Sequence, residues 1–205
     1  MYEVELKAHV ADKEAVISRL YGFARYLGAV QKSDVYYAKD GCKRVRLRTE
    51  TPYTPNVAPL LPDGGEAPQK PCALFTYKRK ELRTDADGTT IEVNDEKECE
   101  LSDAAPVEAF LRDSGFTVAL EKHKNVLGFQ CEQVHIELCE VPPLGDFLEL
   151  ETLSETDDAV QIETLRKSLL TMLAKAGISE TQIETRYYSD MLRQAHKEAA
   201  ELRQK

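Results

Sequence analysis

Glu3, Glu5 and Lys7 occupy alternate positions at the start of the chain, separated by Val4 and Leu6. Side chains of a strand alternate between its faces, so all three charges would project from one side at intervals of roughly 7 Å. Two carboxylates and an ammonium spaced this way can hold a divalent cation together with phosphate oxygens. Hard oxygen ligands suit Mg²⁺ or Mn²⁺, and lysine binds phosphate as a point charge. Further combs follow the same period. Arg44, Arg46 and Arg48 flank Val45 and Leu47; Lys78 and Lys80 share a face; Glu96, Glu98 and Glu100 form an acidic row. Lys122 and Lys124, then Glu137, then Glu149 and Glu151 complete the series, the last two alternating with Leu148 and Leu150.

These combs require strands to carry them. Apolar alternation and turn residues predict strands at about 2–10, 29–39, 43–50, 72–82, 89–101, 116–127, 131–141 and 146–153. Asp40 and Gly41 form a hairpin-type turn. Helices are expected at about 12–27, ended by Gly28, at 104–114, at 156–176 and at 179–203. Residues 51–71 hold most of the prolines and no periodicity, which reads as a mobile loop inside a hairpin. Tyr188, Leu192, Ala195, Ala199 and Leu202 step by four and three, a short seam that suits either packing on the sheet or a homodimer.

The direction of the charged faces decides the chemistry. On an open antiparallel sheet they would face water. Here the combs are sorted by sign from strand to strand, and the apolar faces with Val4, Leu6, Val45, Leu47, Leu138, Leu148 and Leu150 need cover that helices can supply. The expected architecture is therefore α+β, a closed eight-stranded antiparallel barrel with a polar interior and helices packed outside.

Composition narrows the partners. The 205 residues are 42% hydrophobic and 31% charged, which suits one globular domain. No apolar run approaches the roughly 20 residues of a membrane-spanning helix, and the N-terminus lacks the build of a signal peptide, so a cytoplasmic address is expected. A net charge of −9 argues against nucleic acid or an acidic membrane surface as a partner. A local convergence of Arg44, Arg46, Arg48, Lys78, Lys122 and Lys124 would instead suit a small polyanion. Five cysteines, odd in number and without a CxxC pair, do not form a disulfide framework or a zinc site. The four histidines show no ligand spacing, although His135 shares a face with Glu137 and Cys139.

In order along the chain, Glu3-Val4-Glu5-Leu6-Lys7, Arg46-Leu47-Arg48, Lys78, Glu100, Glu121-Lys122, the Leu144-Gly145-Asp146-Phe147-Leu148-Glu149 turn and the closing Tyr188-Ser189-Asp190-Met191-Leu192 resemble the CYTH superfamily of triphosphate tunnel metalloenzymes. The resemblance covers residues 1 to about 193, leaving 194–205 as a helical extension. It is nearest to class IV adenylate cyclase, with thiamine triphosphatase and inorganic triphosphatase as relatives. It implies a tunnel that binds a nucleotide or other small triphosphate with Mg²⁺ or Mn²⁺. Carried over by position, Glu5 and Glu149 would be metal ligands supported by Glu3, Glu100 and Glu151, while Lys7, Arg46, Arg48, Lys78 and Lys122 would hold phosphates.

Two positions depart from the cyclase pattern. Cys139 stands where an aspartate is usual, and Lys124 stands where an arginine is usual. Lysine keeps the charge but loses the bidentate fork. A neutral thiol is a poor hard ligand or base, and Glu137, two residues earlier on the same face, is the candidate to compensate. Three functions remain in view: cyclisation of ATP to 3′,5′-cyclic AMP and pyrophosphate, hydrolysis of a terminal phosphate, and binding without turnover.

Overall fold

Alternation of apolar and charged residues builds one eight-stranded antiparallel sheet, with the first three α-helices on its apolar side and the start of the fourth at one end of the other. The computed structural model describes residues 2–41, 44–55, 72–84 and 90–202, with backbone alone at 78–84 and 90–96. In chain order the elements are β1 (Tyr2–Val10), α1 (Lys13–Leu20), β2 (Arg25–Ala38), β3 (Val45–Pro52), β4 (Cys72–Thr84), β5 (Thr90–Leu101), α2 (Ala105–Asp113), β6 (Thr117–Cys131), β7 (Val134–Val141), β8 (Gly145–Ser154), α3 (Ala159–Lys175), a 3-10 turn (Glu180–Gln182) and α4 (Tyr188–Leu202). The strands lie in the order β1-β8-β7-β6-β2-β3-β4-β5.

The apolar faces turn outward and are covered. Leu6, Ala8, Leu127, Phe129, Ile136, Leu138, Leu148 and Leu150 pack against Val16, Ile17 and Leu20 of α1 and Leu169, Met172 and Leu173 of α3. Tyr37 and Leu47 pack under Leu111 of α2. Burial of such side chains contributes about 1.5–3 kcal/mol each, so this layer fixes which face of every strand is left for charge. The opposite face bears the charged combs. One end of it is filled by Val126, Cys139, Val141, Phe147 and Met191.

The sheet is not hydrogen-bonded into a closed barrel, which corrects the expected closure. Its edge strands β1 and β5 come within 8 Å at their Cα atoms without forming a ladder. The reason lies partly at β1, whose outer edge is taken by the segment after the 3-10 turn. Ile183 bridges Ala8, and the Glu184 amide donates to the Lys7 carbonyl at 2.7 Å.

Two helices are shorter than expected. The first stops at Leu20, and Gly28 lies within β2 at a register shift, with φ at +130°. Its conformational freedom serves a β-bulge rather than a helix end. The last helix starts at Tyr188, because Ser179 and Gln182 close a capping box around a single turn and the chain then extends along β1. Of the seam on α4, Leu192 is buried, Ala195 is half-buried, and Ala199 and Leu202 are exposed. The loop expected at 51–71 begins with the last residues of β3, and its 56–71 portion falls outside the described residues.

Candidate functional site

The cationic stretch of the inner face is built by register. Asp34 of β2 stands opposite Arg48 of β3 on one side and Lys122 of β6 on the other. Arg48 donates Nε to Asp34 Oδ1 at 2.6 Å and Nη2 to Oδ2 at 3.1 Å, while Lys122 Nζ lies 2.9 Å from Oδ2. Asp34 is 0% exposed. Burial alone would raise its carboxyl, but the Lys122 charge and then Arg48 overcome this and hold it far below the usual carboxylate range. Asp34 is thus a permanent anion that orients two cations.

Arg46 follows the same plan on the next strands. Its Nη2 donates to Thr76 Oγ1 at 2.9 Å and to Glu98 Oε2 at 3.2 Å. Lys32 Nζ lies 2.6 Å from Glu137 Oε1 and 3.4 Å from Glu50 Oε1. Lys124 bridges the two halves of the face, 3.2 Å from Glu137 Oε2 and 2.7 Å from Glu149 Oε2. Burial opposes its charge, yet the acidic groups around it raise its pKa well above the ordinary lysine value.

The acidic stretch comes from β1 and β8. Glu5 stands opposite Glu151 and Lys7 opposite Glu149. Enclosure by protein, then the Glu149 charge, raises the Glu5 carboxyl to about 7, although its surface still faces the cavity. Glu149 Oε1 is shut off from solvent without a well-formed hydrogen bond. Crowded carboxylates, one with a raised pKa and one with an orphaned oxygen, are short of positive charge and offer hard donors. This fits Mg²⁺ or Mn²⁺. Glu137, Cys139 and Glu149 also have ligand atoms within 4.8 Å of one another. Burial, then the Glu149 charge, pushes the Cys139 thiol well above its ordinary pKa. It is therefore a neutral thiol, and the hard donors of this group are the two carboxylates.

A C-terminal strap finishes the enclosure. Lys7 Nζ donates to the Arg186 carbonyl and lies 4.3 Å from the centre of the Tyr188 ring. Tyr187, Tyr188, Ser189, Asp190 and Arg193 line the cavity, whose volume is about 840 Å³.

The expected site residues mostly converge. Glu3, Glu5, Lys7, Arg44, Arg46, Arg48, Lys122, Lys124, Glu137, Glu149 and Glu151 line this one cavity. Arg44 precedes β3 and is exposed at the wall. Glu100 is exposed and is not among the described residues that line the cavity; Glu98, two residues earlier on the same face, is. Lys78 stands opposite Glu96 in the β4–β5 register, and its side chain falls outside the described residues. Glu137 accepts from Lys32, Lys124 and His135, so both its oxygens are engaged. Sequence reasoning missed Lys32, Asp34, Tyr36 and Thr76. Lys32, Asp34 and Tyr36 alternate in the sequence, a mixed-charge comb that the sign-sorted pattern passed over.

A family model for the CYTH domain matches residues 1–188. The chain belongs to the CYTH domain family. Among solved structures, the PH1819 protein of Pyrococcus horikoshii OT3 is similar at a TM-score of 0.73 and 23% identity, covering 95% of this chain and 99% of that one. A protein of Vibrio parahaemolyticus provisionally described as an adenylate cyclase is similar at a TM-score of 0.70 and 19% identity, covering 94% and 98%. A second protein so described, from Bacillus halodurans, gives 0.52 and 17% over 92% and 96%. No curated protein matches the sequence. These likenesses carry the fold, and the charged inner face of this CYTH chain carries the functional argument. No described helix is long and apolar enough to cross a membrane.

Proposed function

We propose that this CYTH chain is a divalent-metal-dependent enzyme that acts on a nucleoside triphosphate, converting ATP to 3′,5′-cyclic AMP and pyrophosphate. One observation carries the reading: a cation-rich wall with Arg46, Arg48, Lys122 and Lys124 and a carboxylate-rich wall with Glu3, Glu5, Glu149 and Glu151 border a single cavity, and they meet at Lys124. A triphosphate with its counter-ion has this same division of charge. Mg²⁺ or Mn²⁺ held by Glu5 and Glu149, with Glu3 and Glu151 near, would neutralise charge on the phosphates and on the leaving pyrophosphate.

Arg46, Arg48, Lys122 and Lys7 hold the phosphate oxygens, and Asp34 keeps Arg48 and Lys122 aimed without titrating. Positioning of this kind supplies much of the catalysis in phosphoryl transfer. The lining also offers apolar and aromatic surface from Tyr36, Val45, Leu120 and Leu153, the last 52% exposed. Inorganic triphosphate has no use for such surface, whereas a nucleoside does. Cys139 is a neutral thiol and Glu137 already accepts from Lys32, His135 and Lys124, so neither takes the 3′-hydroxyl proton.

The runner-up is hydrolysis of the terminal phosphate of thiamine triphosphate or inorganic triphosphate, and Cys139 favours a third reading, binding of nucleotide or polyphosphate without turnover. One assay separates these. The protein is incubated with Mn²⁺ and ATP, thiamine triphosphate or tripolyphosphate, and the products are identified. Cyclic AMP with pyrophosphate is expected. Orthophosphate would replace the first reading with hydrolysis, and tight binding without product would replace it with a binding module.

A further inference from the structure

Three ammonium groups of the inner face converge on one aromatic ring. The centroid of Tyr188 lies 4.3 Å from Lys7 Nζ, 5.1 Å from Lys122 Nζ and 5.8 Å from Lys124 Nζ. These lysines come from β1 and β6, strands that do not pair with each other. The ring is held from behind, packed edge-on against Phe147 at 5.1 Å and 86°. Its segment is tied to β1 through the Ile183 bridge to Ala8, the Glu184 amide, and Gln182, whose Nε2 donates to the His9 carbonyl at 3.1 Å. The ring cannot leave without undoing that strap.

The Lys122 charge disfavours that of Lys7, and the negative face of an aromatic ring attracts ammonium groups without neutralising any charge. Lys122 already pairs with Asp34, and Lys124 with Glu137 and Glu149; a further carboxylate in place of the ring would add to the competition with phosphate. A ring leaves their outward hydrogens available as donors. We propose that Tyr188 is a positioning residue for polyphosphate, its ring holding Lys7, Lys122 and Lys124 at a common focus before the ligand arrives. This rests on the triphosphate reading of the cavity and adds to it a residue that touches no phosphate itself. The hydroxyl is not needed for the role: it is shut off from solvent beside Glu149 without a well-formed hydrogen bond, and burial, then the Glu149 charge, pushes its pKa far up.

The ring and the hydroxyl are separable by substitution. Binding of tripolyphosphate and of orthophosphate is measured by calorimetry for the native chain, Tyr188→Phe and Tyr188→Leu. Tyr188→Phe is expected to stay within about threefold of native. Tyr188→Leu is expected to lose roughly tenfold or more for tripolyphosphate, from a desolvated cation–π energy of that order, and much less for orthophosphate, which engages fewer ammonium groups. Equal affinity of Tyr188→Leu and native, or equal loss in both variants, overturns the role. Failure of the native chain to bind tripolyphosphate overturns the triphosphate reading instead. A measurement on the native protein guards against misfolding of the leucine variant. The ε-methylene resonances of Lys7, Lys122 and Lys124 should be shifted upfield by the ring and should move on addition of tripolyphosphate; unshifted resonances overturn the proposal.

Discussion

Lys124 places its ammonium 2.7 Å from Glu149, at the point where the acidic and basic stretches of the inner face join. The side chain of Lys124 is only 4% exposed and that of Glu149 13%, so each is the other's main compensation. Removing one partner of such a pair leaves a buried charge unpaired, at a cost of about 3–5 kcal/mol.

Lys124→Met should therefore unfold at clearly lower urea concentration than native at pH 7 without divalent metal. Millimolar Mn²⁺ should restore more stability to the variant than it adds to native, because the ion takes over the neutralisation of Glu149. Urea titrations with and without Mn²⁺ check both statements. An equal gain from Mn²⁺ in the two proteins would remove Glu149 from the metal-binding set.

Asp34 yields a pH-dependent prediction. Its pKa is depressed on folding by Lys122 and Arg48, so its stabilisation is present above the unfolded carboxyl value of about 4 and is lost as pH falls below it toward the folded value. Asp34→Asn should cost roughly 3–5 kcal/mol at pH 7, and the gap from native should narrow at pH 3. It should also weaken tripolyphosphate binding by about tenfold or more, since two phosphate-facing cations lose their fixed partner. Denaturation at the two pH values and calorimetry supply the readouts; a gap that is independent of pH would rule out an ionised Asp34 as the anchor.

Glu5 should behave in the opposite sense. Its pKa rises on folding to about 7, so the metal-free fold is favoured by its protonated form, and that contribution, full below the unfolded value, disappears as pH rises through 7. A divalent ion must displace the proton. Binding of Mn²⁺ at pH 6.5 should release a proton and strengthen with pH until about 7. Calorimetry in two buffers of different ionisation enthalpy measures the release, and Glu5→Gln should abolish it along with most of the affinity. Identical apparent enthalpies in the two buffers for native protein would contradict the raised pKa.

Period-two patterning determined a great deal. It needs only one residue's neighbours, and a strand must show alternate residues to opposite sides. The combs at Glu3, Glu5 and Lys7, at Arg46 and Arg48, and at Glu149 and Glu151 were legible in this way, as was the burial of Leu6, Leu47, Leu148 and Leu150 under helices. The apolar face is large enough that it had to be covered, and this sent the charges inward.

Registers and chain crossings were not legible, because they join residues far apart in sequence. Asp34 is one polar residue among many until pairing sets it between Arg48 and Lys122. Tyr188 reads as the first residue of an apolar seam inside a longer helix until the strap carries it to three lysines. The helix expected over 179–203 begins only at Tyr188 for the same reason: the edge of β1 offered backbone partners to residues 183 and 184, and that pairing displaced the local helical pattern. The tertiary structure alone decided that the sheet, wrapped around its charged face, stops short of a closed hydrogen-bond ladder, since part of the β1 edge that closure would need is engaged by residues 183 and 184.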